Sequence, residues 1–164
     1  MRGTVARLLA VVAIVCLGVS CGGDDDKSYD FEGRWSWHGI VTESNVPANP
    51  IGEEYFDTLI ISQDDSNVTV TFQSMGSNLV MVGTCDTKAR TFSASGVGTG
   101  PYFGTSAAVS GAGIDGDSMS GIFRLNFPGG RFTSGTWSAD LGSRAVQGTG
   151  GAEGVKAMVL RGTR

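Results

Sequence analysis

A run of alternating apolar and polar residues begins at Tyr29 and constrains the fold more than any other feature of this chain. Aromatic, aliphatic and small residues recur at every second position through Val41, and charged or hydroxyl side chains occupy most of the positions between them. Successive side chains of a strand point to opposite faces, so this spacing is typical of a β-strand with one face in a core. Helical periodicity is hard to find in the rest of the chain, and we therefore expect an all-β domain.

Similar strand patterns recur in seven later segments, which are separated by short turn sequences such as Asp115-Gly116. The predicted strands are residues 29–42, 55–63, 68–73, 79–85, 91–97, 105–114, 118–126 and 131–140. No gap has room for a crossover helix, so neighbouring strands must run antiparallel. Eight antiparallel strands expose two long edges unless the sheet closes, and closure removes them. We predict an antiparallel up-and-down (meander) barrel of eight strands, with a β-sandwich as the alternative.

A Ser-Gly pair lies inside each of the last four predicted strands. The pairs are Ser95-Gly96, Ser110-Gly111, Ser120-Gly121 and Ser134-Gly135. Glycine inside a strand permits the sharp bends of a barrel, which would explain the repetition. The alternative is that the pairs reflect only a glycine-rich composition, with 26 glycines in 164 residues.

The N-terminus has the composition of an export signal. Arg2 and Arg7 are followed by an uncharged apolar run, by the small residues Gly18-Val19-Ser20, and by Cys21. The apolar run is too short for a spanning helix, and no stop-transfer pattern follows it. The predicted organisation is therefore a signal peptide at 1–20, a flexible tether at 21–28, a β-barrel domain at 29–141, and a loosely ordered C-terminal tail at 142–164, in which Val155 to Leu160 could form a short strand or a frayed helix.

Residues 18–21 resemble the lipobox of bacterial lipoproteins, whose cysteine is lipidated and becomes the first mature residue. Val19 and Ser20 fit that motif, whereas Gly18 stands where an aliphatic residue is expected. The resemblance implies a membrane anchor through acyl chains such as palmitate on Cys21, and two or three chains would hold stably. Gly22 in place of an aspartate favours an outer-membrane address in the bacterial cell envelope. Soluble export is the alternative, because Gly18-Val19-Ser20 also suits an ordinary cleavage site.

Gly33-Arg34-Trp35 resembles the G-x-W signature of the lipocalin family, and avidin-like barrels also carry an early tryptophan. The resemblance implies a barrel whose open end takes a small, largely apolar ligand, although the later motifs of both families are missing. From the residues alone, Trp35, Trp37 and Trp137 are expected mainly in the core, with ligand contact as the alternative. Small interior residues on the later strands either leave a cavity or are offset by the large residues of the early strands.

Charge and cysteine content exclude several kinds of partner. The net charge is −4, and it becomes more negative once Arg2 and Arg7 leave with the signal peptide. Nucleic acids and anionic headgroups reward cationic patches, so we expect neither as a partner. If Cys16 leaves with the signal and Cys21 is lipidated, Cys85 is the one thiol left, and we expect it to be a small buried apolar residue.

Few residues suggest a catalytic or metal site. His38 is the single histidine, and the carboxylates Glu53 and Glu54 would have to converge with another acid to act as a catalytic pair. The acidic turns lack EF-hand spacing, and residues 111–116 match G-x-G-x-x-G without a helix to follow, so we expect no metal and no cofactor. The leading hypothesis is a non-enzymatic lipoprotein that binds a small apolar ligand. The alternatives are a filled barrel that contacts an envelope protein partner and, third, an uncharacterised hydrolase-like enzyme.

Overall fold

The computed structural model describes residues 28–142 and 155–162. Eight strands follow one another and close into a barrel in which each strand pairs antiparallel with its sequence neighbours and β8 pairs with β1. The strands are β1 (Gly33–Ser44), β2 (Glu54–Asp64), β3 (Asn67–Phe72), β4 (Val80–Asp86), β5 (Thr91–Val97), β6 (Ser106–Asp115), β7 (Ser118–Phe127) and β8 (Arg131–Leu141). After β8, the described residues 155–162 form an α-helix, α1 (Val155–Gly162). The prediction of a closed eight-stranded meander barrel is confirmed.

The first strand begins four residues later than its alternation predicted. Tyr29 and Phe31 precede β1 and lie across one end of the barrel, which we call the Tyr29 end. The Tyr29 hydroxyl donates to the carbonyl of Ser118 at 3.1 Å, and the Phe31 amide donates to Oε1 of Gln63 at 3.0 Å. The segment keeps the apolar periodicity of a strand because its large side chains also face the core, where Phe31 is fully buried.

Helix α1 covers the opposite end of the barrel, which we call the α1 end. Its first amide, that of Val155, donates to Oδ2 of Asp57 near the start of β2 at 3.1 Å. Val155, Met158 and Val159 are at most 1% exposed and pack into the barrel. Residues 155–162 of the predicted loosely ordered tail thus form a docked helix, where the sequence predicted a short strand or a frayed helix. The glycines at 148, 150 and 151 lie outside the described residues.

Large aromatic side chains occupy the space that interior glycines leave. A Cβ atom on Gly39 would lie 2.1 Å from the ring of Trp37, and one on Gly111 would lie 2.5 Å from the ring of Trp137. The three tryptophans are at most 3% exposed, and all three lie in the core. Large side chains therefore fill the space that small interior residues leave, which agrees with the second of the two packing alternatives, although the rings come from β8 as well as from β1.

Candidate functional site

The space inside the α1 end is too small for a ligand while α1 is in place. It measures about 10 Å³ and is lined wholly by apolar side chains, among them Trp37, Phe72, Phe123, Val155 and Met158. A volume of that size holds one water molecule at most. One of the lining residues, Trp37, has no hydrogen-bond acceptor for its Nε1–H. The other two tryptophans have one: Trp35 donates to the carbonyl of Phe31 at 3.0 Å, and Trp137 donates to the carbonyl of Ile122 at 3.1 Å.

A polar cluster fixes α1 over this end. Asn49 is fully buried; its Nδ2 donates to the carbonyl of Met158 at 3.0 Å and its Oδ1 accepts from the Tyr55 hydroxyl at 3.2 Å. Arg161 pairs with Oε1 of Glu53 at 2.5 Å. Burial first, and then the neighbouring Glu53 carboxylate, raise the pKa of Tyr55 above its ordinary value. The loop between β1 and β2 therefore holds the helix through a buried hydrogen bond from Asn49 and a partly exposed ion pair from Glu53.

A concave surface lies on the outside of the barrel wall. This outer-wall groove has a volume of about 550 Å³, runs across β4 to β8 and reaches Thr42 of β1. Its floor is formed by short outward side chains, namely Ser93, Ser95, Ala108 and Ser110. The registers Ser93↔Ser110 and Ser95↔Ala108 place these four in two adjacent rows. The groove arises because longer side chains flank this floor on β4 and β7.

Two exposed aliphatic side chains flank the floor. Val82 on β4 is 62% exposed, and Ile122 on β7 is 61% exposed. Arg124, next along β7, is the only charged side chain among the described residues that line the groove. Its guanidinium lies 4.3 Å from the centre of the Phe132 ring, and its Nε donates to Oδ1 of Asn126 at 2.9 Å, so its position is fixed.

Several inward-facing positions behind the groove are glycine, and the backbone of a neighbouring strand approaches each of them closely. A Cβ atom on Gly121 would lie 1.9 Å from the carbonyl oxygen of Ser110, and one on Gly135 would lie 2.0 Å from that of Ile40. No side chain fits where neighbouring backbone comes this close. Gly96 meets the carbonyl oxygen of Val80 in the same way, at 2.1 Å. Three of the four Ser-Gly pairs thus mark tight approaches of adjacent strands, which favours a structural reason for those pairs over composition alone.

The candidate catalytic residues do not converge in one cavity. Nε2 of His38 lies 3.1 Å from Oε2 of Glu54 on the outer wall, and its ring stacks on Phe56 at a centroid distance of 4.4 Å. Glu53 pairs instead with Arg161 at the α1 end. His38 therefore has one carboxylate partner on an open surface.

The acidic turns have ordinary turn chemistry. Oδ1 of Asp115 accepts hydrogen bonds from the Ser118 hydroxyl and the Asp117 amide, and these bonds lower the pKa of the Asp115 carboxyl. Among residues 28–142 and 155–162, no group of three or more His, Cys, Asp or Glu side chains is placed to hold a metal ion. No helix in the same part of the chain is long and apolar enough to cross a membrane.

Cys85 is 8% exposed near the Tyr29 end, with Sγ 3.6 Å from the carbonyl oxygen of Asp65. Burial, and then the nearby Asp86 carboxylate, raise the pKa of its thiol. The candidate lipidation site Cys21 and the lipobox residues before it lie outside the described residues. Sequence reasoning named the tryptophans, but it missed Asn49, Asp57 and Arg124, whose roles depend on contacts between residues far apart in the chain.

Comparison with known proteins gives no family for this chain: no family model, no curated protein and no solved structure matches it.

Proposed function

We propose that this chain is a non-enzymatic lipoprotein of the bacterial cell envelope, tethered through Cys21, whose filled barrel docks another envelope protein at the outer-wall groove. The observation that carries the proposal is the pair of exposed aliphatic side chains, Val82 and Ile122, on either side of a concave floor of small residues. Exposed apolar surface with a polar surround is typical of protein contact sites.

The state of the barrel interior supports this function over binding of a small apolar ligand. The enclosed space beneath α1 is about 10 Å³, whereas ligand sites span hundreds of Å³. The ligand hypothesis therefore stays a prediction that requires α1 to move. The groove needs no such movement, because it is open in the structure.

The groove sets the chemistry of its partner. A complementary surface would carry a ridge of aliphatic side chains to cover the serine and alanine floor, with an acidic side chain opposite Arg124. Arg124 is a cation in an otherwise uncharged groove, and it favours an acidic contact over a basic one.

The tether would leave the groove accessible. Residue 28, the first described residue, precedes Tyr29 at the Tyr29 end, so an anchor at Cys21 would bring that end closest to the membrane. With the Tyr29 end toward the membrane, the groove on the side wall would face sideways, where the membrane would not cover it. An outer-membrane position, suggested by Gly22, belongs to the same proposal.

Photo-crosslinking from the groove tests the docking proposal. The full chain carries a photoreactive phenylalanine at position 122, at position 82, or at the control position 114, where Ile114 is equally exposed at 61%. We expect one discrete adduct with a second protein from positions 122 and 82 in intact cells, and none from 114. Arg124→Glu should lower its yield by about fivefold, equivalent to about 1 kcal/mol, whereas the charge reversal Lys88→Glu should not.

Three results would contradict the docking proposal. The first is the absence of an adduct from positions 122 and 82. The second is an adduct from position 114 in equal yield, and the third is an adduct yield that Arg124→Glu leaves unchanged. An adduct with the mass of two copies would assign the groove to self-association instead.

A further inference from the structure

The buried donor Trp37 has no acceptor in the structure described. Its side chain is 2% exposed, its Nε1–H has no hydrogen-bond partner, and it lines the small space directly beneath α1. A buried donor without an acceptor costs about 1–3 kcal/mol, and such a group calls for an explanation. A bound water molecule does not explain it well, because a buried water needs two to four polar partners and the walls of this space are apolar.

A carboxylate faces the same region. Asp57 is the cross-strand partner of Trp37 in the register between β1 and β2, so both side chains point to the same face of the sheet. Asp57 accepts hydrogen bonds from the Ser74 hydroxyl and from the amide of Val155. Ser74 Oγ in turn accepts from the amide of Lys156 at 3.2 Å. An inward carboxylate thus holds the first turn of α1 in the barrel mouth.

Strand pairing in the barrel does not involve α1. The eight strands close on one another without any contribution from α1. A helix of eight residues is too short to persist alone in water, so α1 is helical because it is docked. Such elements open locally at a lower free energy than the whole domain.

We propose that α1 is an exchangeable lid over a binding site for a linear apolar molecule with a neutral hydroxyl or amide head group. The apolar body takes the space that Val155 and Met158 fill in the closed state. The head group accepts from Trp37 Nε1–H, which gains the partner it lacks, and donates to Oδ2 of Asp57, where it replaces the Val155 amide. A carboxylate head is disfavoured, because Asp57 would face it with like charge. This inference stands independently of the outer-wall groove.

The indole signals of the full chain provide the test. Trp35 and Trp137 already donate to carbonyls, so the Trp37 indole proton is the one expected to move downfield when an acceptor arrives. On titration with 1-decanol, we expect the Trp37 indole signal to shift while the other two stay in place. Decanoate has the same chain length as decanol but carries a carboxylate, which Asp57 repels. We expect it to bind at least about tenfold more weakly, because tenfold is a modest penalty for two like charges.

Two variants sharpen the result. Arg161→Ala removes a side-chain anchor of α1 and should tighten the apparent affinity for decanol by about tenfold, because more of the protein is open. Lys156→Ala, on the exposed side of α1, should leave the affinity unchanged. Asp57→Asn should narrow the gap between decanol and decanoate. The proposal is overturned if decanol leaves the Trp37 signal in place in both the wild type and Arg161→Ala, or if decanoate binds as well as decanol.

Discussion

Gly135 illustrates how single residues decide the shape of this barrel. Its position has room for a hydrogen atom and nothing larger, because the carbonyl oxygen of Ile40 lies where a methyl group would be. The Ser-Gly repetition indicated tight approaches between strands, but it did not show which neighbour approaches which glycine. That information depends on the register between β8 and β1, which no local pattern contains.

Substituting this glycine should therefore destabilise the whole domain. We expect Gly135→Ala to lower the free energy of unfolding by about 3 kcal/mol, since overpacking against backbone cannot relax by a side-chain rotation. Gly116→Ala is the matched control, because nothing lies within 4 Å of its added methyl group, and it should stay within about 0.5 kcal/mol. Urea unfolding measures both. Equal midpoints for the two variants would show that the strands do not approach so closely.

Tyr55 should make stability depend on alkaline pH. Burial raises the pKa of its phenol in the folded state, whereas the unfolded chain ionises near pH 10. Above pH 10 the unfolded state therefore binds fewer protons than the folded state. The part of the free energy of unfolding that comes from Tyr55 is fully present below pH 10 and is lost as the pH rises above it. Tyr55→Phe should cost about 1 kcal/mol at pH 8, through the lost bond to Asn49, yet show a shallower decline between pH 9 and 11. Tyr29 and Cys85 contribute equally to the pH dependence of the wild type and of Tyr55→Phe. If the free energy of unfolding falls equally steeply in the two proteins, Tyr55 does not have this role.

Cys85 should resist modification in the folded protein. Its thiol is buried and its pKa is raised, so little thiolate is present at pH 8 and reagents must wait for the structure to open. We expect iodoacetamide to modify Cys85 roughly 100-fold more slowly in buffer than in urea. Peptide mass spectrometry at successive times measures the rate of modification. Rapid modification in buffer would mean that this end of the barrel is open.

At the scale of elements, alternation predicted all eight strands to within a few residues, because each has one buried and one exposed face. The exception was the start of β1, where Tyr29 and Phe31 continue the alternation outside the strand. Helix α1 was harder to predict. Its eight residues follow a glycine-containing segment, and its buried face is set by contacts with Asp57 and Asn49, which are about 100 residues away in the chain.

The anchoring of α1 should be local and separable from the barrel. Asn49→Ala removes the bond to the Met158 carbonyl, and we expect the amides of α1 to exchange with deuterium about tenfold faster, equivalent to about 1.4 kcal/mol of local stability. Amides in the middle of β7 and β8 should keep their protection. Asn45→Ala, in the same loop but bonded to β8 and its preceding turn, is the control and should leave α1 unchanged. Uniform acceleration throughout the chain would show that α1 is part of one cooperative unit with the barrel.

At the scale of the whole molecule, sequence reasoning reached closure through the cost of two exposed strand edges, and the structure has a closed barrel. It did not predict the outer-wall groove, because the groove combines side chains from six strands that are contiguous only in the folded sheet. Nor could it decide between a cavity and a filled interior, since that depends on how the rings of Trp37 and Trp137 turn toward Gly39 and Gly111.

The account depends most on the claim that this barrel is held at a membrane through Cys21. Intact mass spectrometry of the protein, gently extracted from the envelope of its own cells, tests that claim most directly. We expect a chain that begins at Cys21, carries the added mass of two or three acyl chains, and loses both features in Cys21→Ser. An unmodified chain recovered from the soluble fraction, or one that begins at another residue, would contradict it.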